Sequence, residues 1–417
     1  MTESAQQHGG WENVTGLVCR ECGRTYPIEP LSICEACFGP LEVAYDLEGL
    51  AGRITREQIE NGPTTLWRYR SLLPTPAQQP IDLGAGFTPM RRAVRLGEAL
   101  GIADLWLKDD TGNPTGSFKD RVVSVATTVA RSFGFDTVAC ASTGNLANAT
   151  AGHAAAAGLN AYIFVPHDLE RAKIVATGAF GANVVAVKGN YDDVNRLCSE
   201  VAESLPWAFV NVNLRPFYAE GSKTLGFETA EQLRWELPDH VVVPIASGAL
   251  LTKINQGFRQ LAAVGLIEDR PVRISGAQAT GCSPVARAFK DGADQVRPVR
   301  PETIAKSLAI GNPADGYYAV RTARETGGAI EDASDEEIVA GIRLLAETEG
   351  LFAETAGGVT VACLRKLREA GVVRSDERVV AYITGTGFKT VEALEEAVPP
   401  AFTVSPSLEE FRDAADV

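Results

Sequence analysis

Residues 113–121 read Asn113-Pro114-Thr115-Gly116-Ser117-Phe118-Lys119-Asp120-Arg121, and this stretch decides how the rest of the chain is read. Asn-Pro opens a turn, and Gly116 leaves the backbone free to complete it. Ser117 is placed to cap a helix that continues through Val122, Val123, Val125 and Ala126. Lys119 therefore falls in the first turn of a helix, beside backbone N–H groups with no intrahelical partner. The helix dipole favours anions at that end, so a lysine is unfavourably placed. A solvated surface lysine is the ordinary explanation, and it costs only on the order of tenths of a kcal/mol. The surrounding chain argues for more.

Downstream, strand and helix patterns alternate. Strands are expected at 104–108, Thr137–Ala141, 161–165, 184–187, 208–212, 241–245, 272–275 and Arg378–Ile383. Helices are expected from the lysine loop to about residue 133, then at 146–157, 169–177, Tyr191–Ser204, 221–236, 250–263 and 359–370. Gly158 is a suitable end for the Ala-rich helix 146–157. Ser334-Asp335-Glu336-Glu337 is a capping box ahead of a helix at 338–349. The strands are β-branched and uninterrupted, as parallel strands covered on both faces must be. Alternation with right-handed crossovers gives a doubly wound α/β fold.

The chain has 417 residues, of which 45% are hydrophobic, enough for two or three domains with a large core. The formal net charge of −14 argues against nucleic acid or an anionic membrane as partner. An anionic ligand then needs local positive potential at its site. No segment approaches the roughly 18 uninterrupted apolar residues of a membrane span. The polar start, 1–12, lacks the apolar core of a signal peptide, so a cytoplasmic protein is expected. Residues 1–13 read as disordered, and 401–417 as a tail with a short acidic helix. A segment rich in polar residues, Leu and Pro runs from 46 to about 84, with a short helix at 54–60.

Eight cysteines fall into two groups. Cys140, Cys198, Cys282 and Cys363 are scattered in apolar contexts and read as small buried hydrophobes. Cys19-x-x-Cys22 and Cys34-x-x-Cys37 are two tight knuckles that can wrap one tetrahedral ion. With short strands at 17–18 and Leu41–Tyr45, residues 14–45 read as a zinc ribbon. All four ligand positions are sulfur, so such a zinc is structural and leaves no open position for chemistry. His8, His153, His167 and His240 show no metal spacing, and no G-x-S-x-G elbow is present.

Open α/β sheets bind ligands beyond the carboxyl ends of their strands, and four polar loops lie there. The first carries Lys119. The second, Ser142-Thr143-Gly144-Asn145, opens a helix and forms a cradle suited to a carboxylate. The third, Ala246-Ser247-Gly248-Ala249-Leu250, also opens a helix and is small enough for a phosphate to reach its N–H groups. The fourth is Thr384-Gly385-Thr386-Gly387. Tight strand–helix packing also demands small residues, so no single loop decides. None matches the Rossmann or P-loop pattern. A lysine with two anion cradles points to a phosphate-bearing cofactor held as a Schiff base, and pyridoxal 5'-phosphate is such a cofactor.

The lysine stretch closely resembles the motif of threonine synthases, a fold-type-II pyridoxal-phosphate family. Further matches follow in order: Ser142-Thr143-Gly144-Asn145, Glu220-Gly221-Ser222-Lys223-Thr224, Ile310-Gly311-Asn312-Pro313 and the stretch from Thr384 to Lys389. They span about residues 88–390, and the N-terminal ribbon resembles that of the archaeal and actinobacterial-type members. The resemblance implies two doubly wound α/β domains of the tryptophan synthase β-like class plus the small zinc ribbon. The implied divisions are 1–48 for the start and ribbon, 86–214 for a smaller domain, 49–85 with 215–400 for a larger one, and 401–417 for the tail. It implies that Lys119 is catalytic and holds the cofactor, with Phe118 near its ring and Asn145 on the ring hydroxyl. Ser247, Gly248, Ala249 and Leu250 would bind the cofactor phosphate, and Thr384 the pyridine nitrogen. Ser142 and Thr143 would hold the substrate carboxylate.

The implied reaction converts O-phospho-L-homoserine and water to L-threonine and phosphate, by loss of the γ-phosphate and addition of water at the β carbon. The family is usually a homodimer acting on a small phosphorylated amino acid. This chain departs from the family pattern near that phosphate. In Asn213-Leu214-Arg215-Pro216-Phe217-Tyr218-Ala219-Glu220, Tyr218 occupies the place of the usual arginine, and Arg215 stands three residues upstream to take over. The phosphate loop reads Ala-Ser-Gly-Ala, and Glu354-Thr355-Ala356-Gly357 replaces Glu-Pro-Ala-Ser. The alternatives are replacement chemistry on O-phospho-L-serine, as in cysteate synthase or a sulfhydrylase, a threonine dehydratase, and a non-catalytic metabolite-binding protein.

Overall fold

The β-branched runs form two sheets, parallel but for one edge strand, with their central strands covered on both faces. The structure is a computed structural model that describes residues 11–416 other than Ala77, Thr143, Glu170, Asn190 and Glu396. The larger sheet has six strands in the order Ile330–Ala333, Arg273–Ala279, His240–Pro244, Arg378–Ile383, Asp104–Asp109, Met90–Arg92. All neighbours are parallel except the last pair, in which Met90–Arg92 runs antiparallel to Asp104–Asp109. The smaller sheet orders Asn183–Val187, Asn160–Pro166, Thr137–Ala141 and Ala208–Phe209, all parallel.

Successive strand residues point to opposite faces, and both faces are buried. Val241, Val243, Val380 and Tyr382 enter one core with helices Lys223–Gln232, Ala249–Ala263 and Gly316–Glu325. Val242, Val379, Ala381 and Ile383 enter another with helices Val94–Leu100, Asp335–Glu349 and Thr355–Glu369. In the smaller sheet, Val138 and Cys140 face helices Lys119–Ser132 and Asn145–Ala157, while Ala139 and Ala141 face helix Tyr191–Ser204. Cys140, Cys198, Cys282 and Cys363 are all buried, as expected of small hydrophobes.

Several elements differ from the sequence reading. Strand Asp104–Asp109, expected within the smaller unit, belongs to the six-stranded sheet, because it pairs along its length with Arg378–Ile383, and Met90–Arg92, not read as a strand, adds to that sheet as its edge. The expected helix 221–236 is the shorter Lys223–Gln232, and ahead of it, across a break at Gly221 and Ser222, stands a helix not expected, Arg215–Glu220. The strand expected at 208–212 is only Ala208–Phe209. Residues 1–10 lie outside the described residues, but Trp11–Glu12 is ordered as a strand against Thr75–Pro76, with Trp11 stacked on Phe217 at 6.1 Å.

The N-terminal module is a three-stranded antiparallel sheet, Thr25–Tyr26, Val14–Cys19, Leu41–Tyr45. Its core is continuous with that of helix Lys119–Ser132 through Leu17, Leu41 and Val43. No helix among the described residues is long and apolar enough to cross a membrane.

Candidate active site

Helix Lys119–Ser132 starts at Lys119, as the motif predicts, but Ser117 does not cap it. Phe118 is the residue before the helix, and the buried Ser117 hydroxyl has no hydrogen-bond partner. The loop is fixed instead by Asp120, whose carboxylate accepts from the Thr115 N–H at 2.8 Å and lies 3.2 Å from His153 Nε2. The other anchor is the last strand: the Phe118 N–H donates to the Thr384 carbonyl at 2.9 Å, and the Thr386 N–H to the Gly116 carbonyl at 3.0 Å.

Two residues along a helix turn the side chain by about 200°. Lys119 and Arg121 therefore face opposite ways. Arg121 is wholly buried beneath the site, with Nε donating to Asp110 at 2.7 Å and Nη2 to Glu228 at 2.8 Å. Lys108 reaches the same Glu228 at 2.6 Å. Although burial opposes its ionisation, these two cations hold the Glu228 carboxyl down at about 2. The network clamps the helix that carries Lys119.

Lys119 faces a cavity of about 660 Å³. Its wall includes Phe118, Ser142, Asn145, Arg215, Tyr218, Ser247, Gly248, Ala249, Leu250 and Thr384. These are all the expected cofactor and substrate residues except Thr143, which lies outside the described residues. Lys119 Nζ donates to Tyr218 Oη at 2.9 Å and stands 4.6 Å from the centre of the Phe118 ring. Burial pulls the amine down to about 8, against the opposing pull of the Glu354 carboxylate. Burial likewise pushes the Tyr218 phenol well above its ordinary value, so it stays protonated. Tyr218, expected where the family has a phosphate-binding arginine, thus holds the lysine.

Helix Ala249–Ala263 points its N-terminus into this cavity, and its dipole favours an anion there. Gly248 precedes it with φ of +96°. A Cβ there would stand 2.6 Å from the Asp315 carbonyl oxygen, so glycine is required on both counts. On the facing side, Ser142 Oγ accepts from the N–H groups of Gly144 at 2.9 Å and Ala147 at 2.8 Å, which leaves its own O–H to donate. Arg215 is held by Asp315, Nη2 to Oδ2 at 2.6 Å, with its side chain 29% exposed.

Sequence reasoning missed Glu354, Lys389 and Asp315. Glu354 is buried on the cavity wall and accepts from Asn145 Nδ2 through both oxygens, at 2.9 and 2.8 Å. Lys389 donates to Asn145 Oδ1 at 3.2 Å, and burial lowers its amine to about 8. The replaced Glu-Pro-Ala-Ser segment and the late Thr-Gly-x-Gly-x-Lys segment were the available signals for the first two.

In the N-terminal module, the sulfurs of Cys19, Cys22, Cys34 and Cys37 all lie within 4.8 Å of one another. Cys19 and Cys37 are 3.4 Å apart, and Cys22 and Cys34 3.6 Å. A tetrahedral ion with bonds of about 2.3 Å spaces its sulfurs by about 3.8 Å, so the cluster fits such an ion.

Residues 81–385 match the family described as pyridoxal-phosphate dependent enzyme. The chain is 37% identical over 379 residues to the threonine synthase of Methanocaldococcus jannaschii, covering 90% of this chain and 93% of that one. It is 36% identical over 405 residues to the threonine synthase of Methanosarcina acetivorans, covering 95% and 98%. Among solved structures it resembles the diaminopropionate ammonia lyase of Escherichia coli, with a TM-score of 0.65, 19% identity, and coverage of 83% and 92%. That likeness speaks for the fold.

Proposed function

This chain belongs to the pyridoxal-phosphate dependent enzyme family, and from that premise we propose that it is a threonine synthase, converting O-phospho-L-homoserine and water to L-threonine and phosphate. The observation that carries this reading is that one cavity joins Lys119, a helix N-terminus and Arg215, in a chain 37% identical to a threonine synthase. When bound, pyridoxal phosphate supplies an electron sink for charge that develops at the substrate α carbon.

The residues present fit that group. Loop 247–250 would take its phosphate at the N-terminus of helix Ala249–Ala263, where Gly248 lets the backbone approach. Thr384 would face the pyridine nitrogen with a neutral hydroxyl. Asn145, oriented by Glu354 and Lys389, would meet the ring hydroxyl. Phe118 would lie against the ring. Lys119 would hold the cofactor through its amine.

Lys119 then moves protons. With a pKa of about 8, its amine is neutral in roughly one molecule in ten at pH 7, far more than for an ordinary lysine, and Tyr218 aims it into the cavity. It would take the α and then the β proton before the γ-phosphate leaves, and would return one proton to the γ carbon and, once water has added at the β carbon, one to the α carbon. Ser142 and Thr143 would hold the substrate carboxylate. Arg215, charged and partly exposed, would meet the phosphate. The relatives carry threonine synthase names, so replacement on O-phospho-L-serine and dehydration of threonine are less well supported.

A structural Zn²⁺ on Cys19, Cys22, Cys34 and Cys37, a homodimer and a cytoplasmic location belong to the same proposal. So does the division into ribbon, smaller and larger units, with the strands Met90–Arg92 and Asp104–Asp109 counted in the larger one. The test supplies purified holoenzyme with O-phospho-L-homoserine and measures both products. Phosphate and L-threonine in equal amounts support the reading. No turnover there, with replacement of the phosphate of O-phospho-L-serine by sulfide or sulfite, would overturn it.

A further inference from the structure

The N-terminal module reaches the cavity. Ser32 and Ile33, between the two cysteine knuckles, stand on the cavity wall, with the apolar Ile33 54% exposed. Arg20 lies inside the first knuckle, between Cys19 and Cys22. Its guanidinium covers the Tyr318 ring at 3.6 Å, and the Tyr318 hydroxyl donates to Glu21 of the same knuckle. Arg20 Nη1 lies 3.9 Å from Asp315 Oδ1, while Arg215 binds the other oxygen, Oδ2, at 2.6 Å. The backbone N–H of Asp315 donates to the Ser247 carbonyl at 2.8 Å, in the loop beside the cavity.

Asp315 is therefore a single carboxylate shared by two arginines, one from the site and one from the cysteine module. A carboxylate shared between two cations holds each less tightly than it would hold one alone. Its second cation thus governs how readily Arg215 turns to a substrate anion.

We infer that Arg20 is a positioning residue for substrate phosphate: it balances Asp315, so that Arg215 is aimed into the cavity and free to bind, and the cysteine module is thereby part of the substrate site. The inference rests on the reading of Arg215 given above. Without Arg20, Asp315 turns its full charge on Arg215 and competes with the incoming phosphate. The acidic Glu42, 3.7 Å from Arg20, belongs to the same array and keeps Arg20 from becoming a free anion site itself.

The test compares R20Q, R20K and R215Q as holoenzymes. Inorganic phosphate is titrated calorimetrically, and KM and kcat are measured with O-phospho-L-homoserine. R20Q is expected to weaken phosphate binding and raise KM by about three- to fivefold, the scale of one partly exposed ion pair. Its kcat should stay within about twofold and its cofactor band should not move, because Lys119 is untouched. R20K should recover most of the loss. R215Q should weaken phosphate more, and R20Q added to R215Q should change little further, since the two act through one carboxylate. Unchanged phosphate affinity in R20Q, with R215Q impaired, overturns the role of Arg20. Unchanged affinity in R215Q overturns instead the reading of Arg215. A fall in kcat at unchanged phosphate affinity would make Arg20 merely structural and also overturn the inference.

Discussion

The buried amine of Lys119 gives a quantitative handle on how the protein captures its cofactor. Burial lowers its pKa from the ordinary 10.5 to about 8. Only the neutral amine attacks an aldehyde. At pH 7 the shift raises the neutral fraction from roughly one in 3,000 to roughly one in ten, about 300-fold. Apoprotein mixed with pyridoxal phosphate should therefore develop its visible band at a rate that climbs with pH and levels off near pH 8. The Glu354 carboxylate opposes the shift, so Glu354→Gln should move the levelling-off to lower pH, by roughly one unit. The same depressed pKa affects stability. Between about pH 8 and 10.5 the unfolded chain carries a proton on this lysine that the folded apoprotein lacks. Lys119 therefore makes the apoprotein gain stability as pH rises through that window. The assay is a series of absorbance time courses from about pH 6 to pH 10. A rate that keeps climbing through pH 10, or an upward move in Glu354→Gln, would refute the reasoning.

Other perturbations follow from the same geometry. Arg121→Met leaves Asp110 and Glu228 buried beside each other with one cation fewer, and should destabilise the fold by about 3–5 kcal/mol in chemical denaturation. Gly248→Ala forces a Cβ against the Asp315 carbonyl at positive φ, so equilibrium dialysis should show pyridoxal phosphate bound about tenfold more weakly or worse. Chelation of the cysteine cluster should loosen residues 14–45 to hydrogen exchange more than it lowers kcat at saturating substrate. Loss of kcat before any such loosening would contradict that order.

The sheets were legible because their strands are buried on both faces, and continuous apolar runs such as Val241, Val242 and Val243 announce that without any partner being known. The cysteine spacing and the lysine stretch were legible because their chemistry is local. What was hidden depends on contacts between distant residues. Strand Met90–Arg92 is short and polar on its exposed side, and only its pairing with Asp104–Asp109 makes it a strand. Helices Pro284–Lys290 and Gly316–Glu325 fell in a stretch where no element was read. Asn145 and Glu354 meet across 209 residues, and Arg215 and Asp315 across 100, so neither pair leaves a periodic trace. Ser117 shows the converse error: its residue type suited a helix cap, but its backbone bridges to Gly385 and the helix begins one residue later, after Phe118.

Lys119 is not the sole buried lysine whose amine is pulled down. Lys223 and Lys389 also sit at about 8, Lys223 because of burial despite its ion pair with Glu220. The most direct test of the account is therefore to reduce the holoenzyme with borohydride and map the pyridoxyl group by peptide mass spectrometry. The account predicts the adduct on the peptide containing Lys119, and its loss in Lys119→Ala. An adduct on the Lys223 or Lys389 peptide, or a retained visible band in Lys119→Ala, would contradict it.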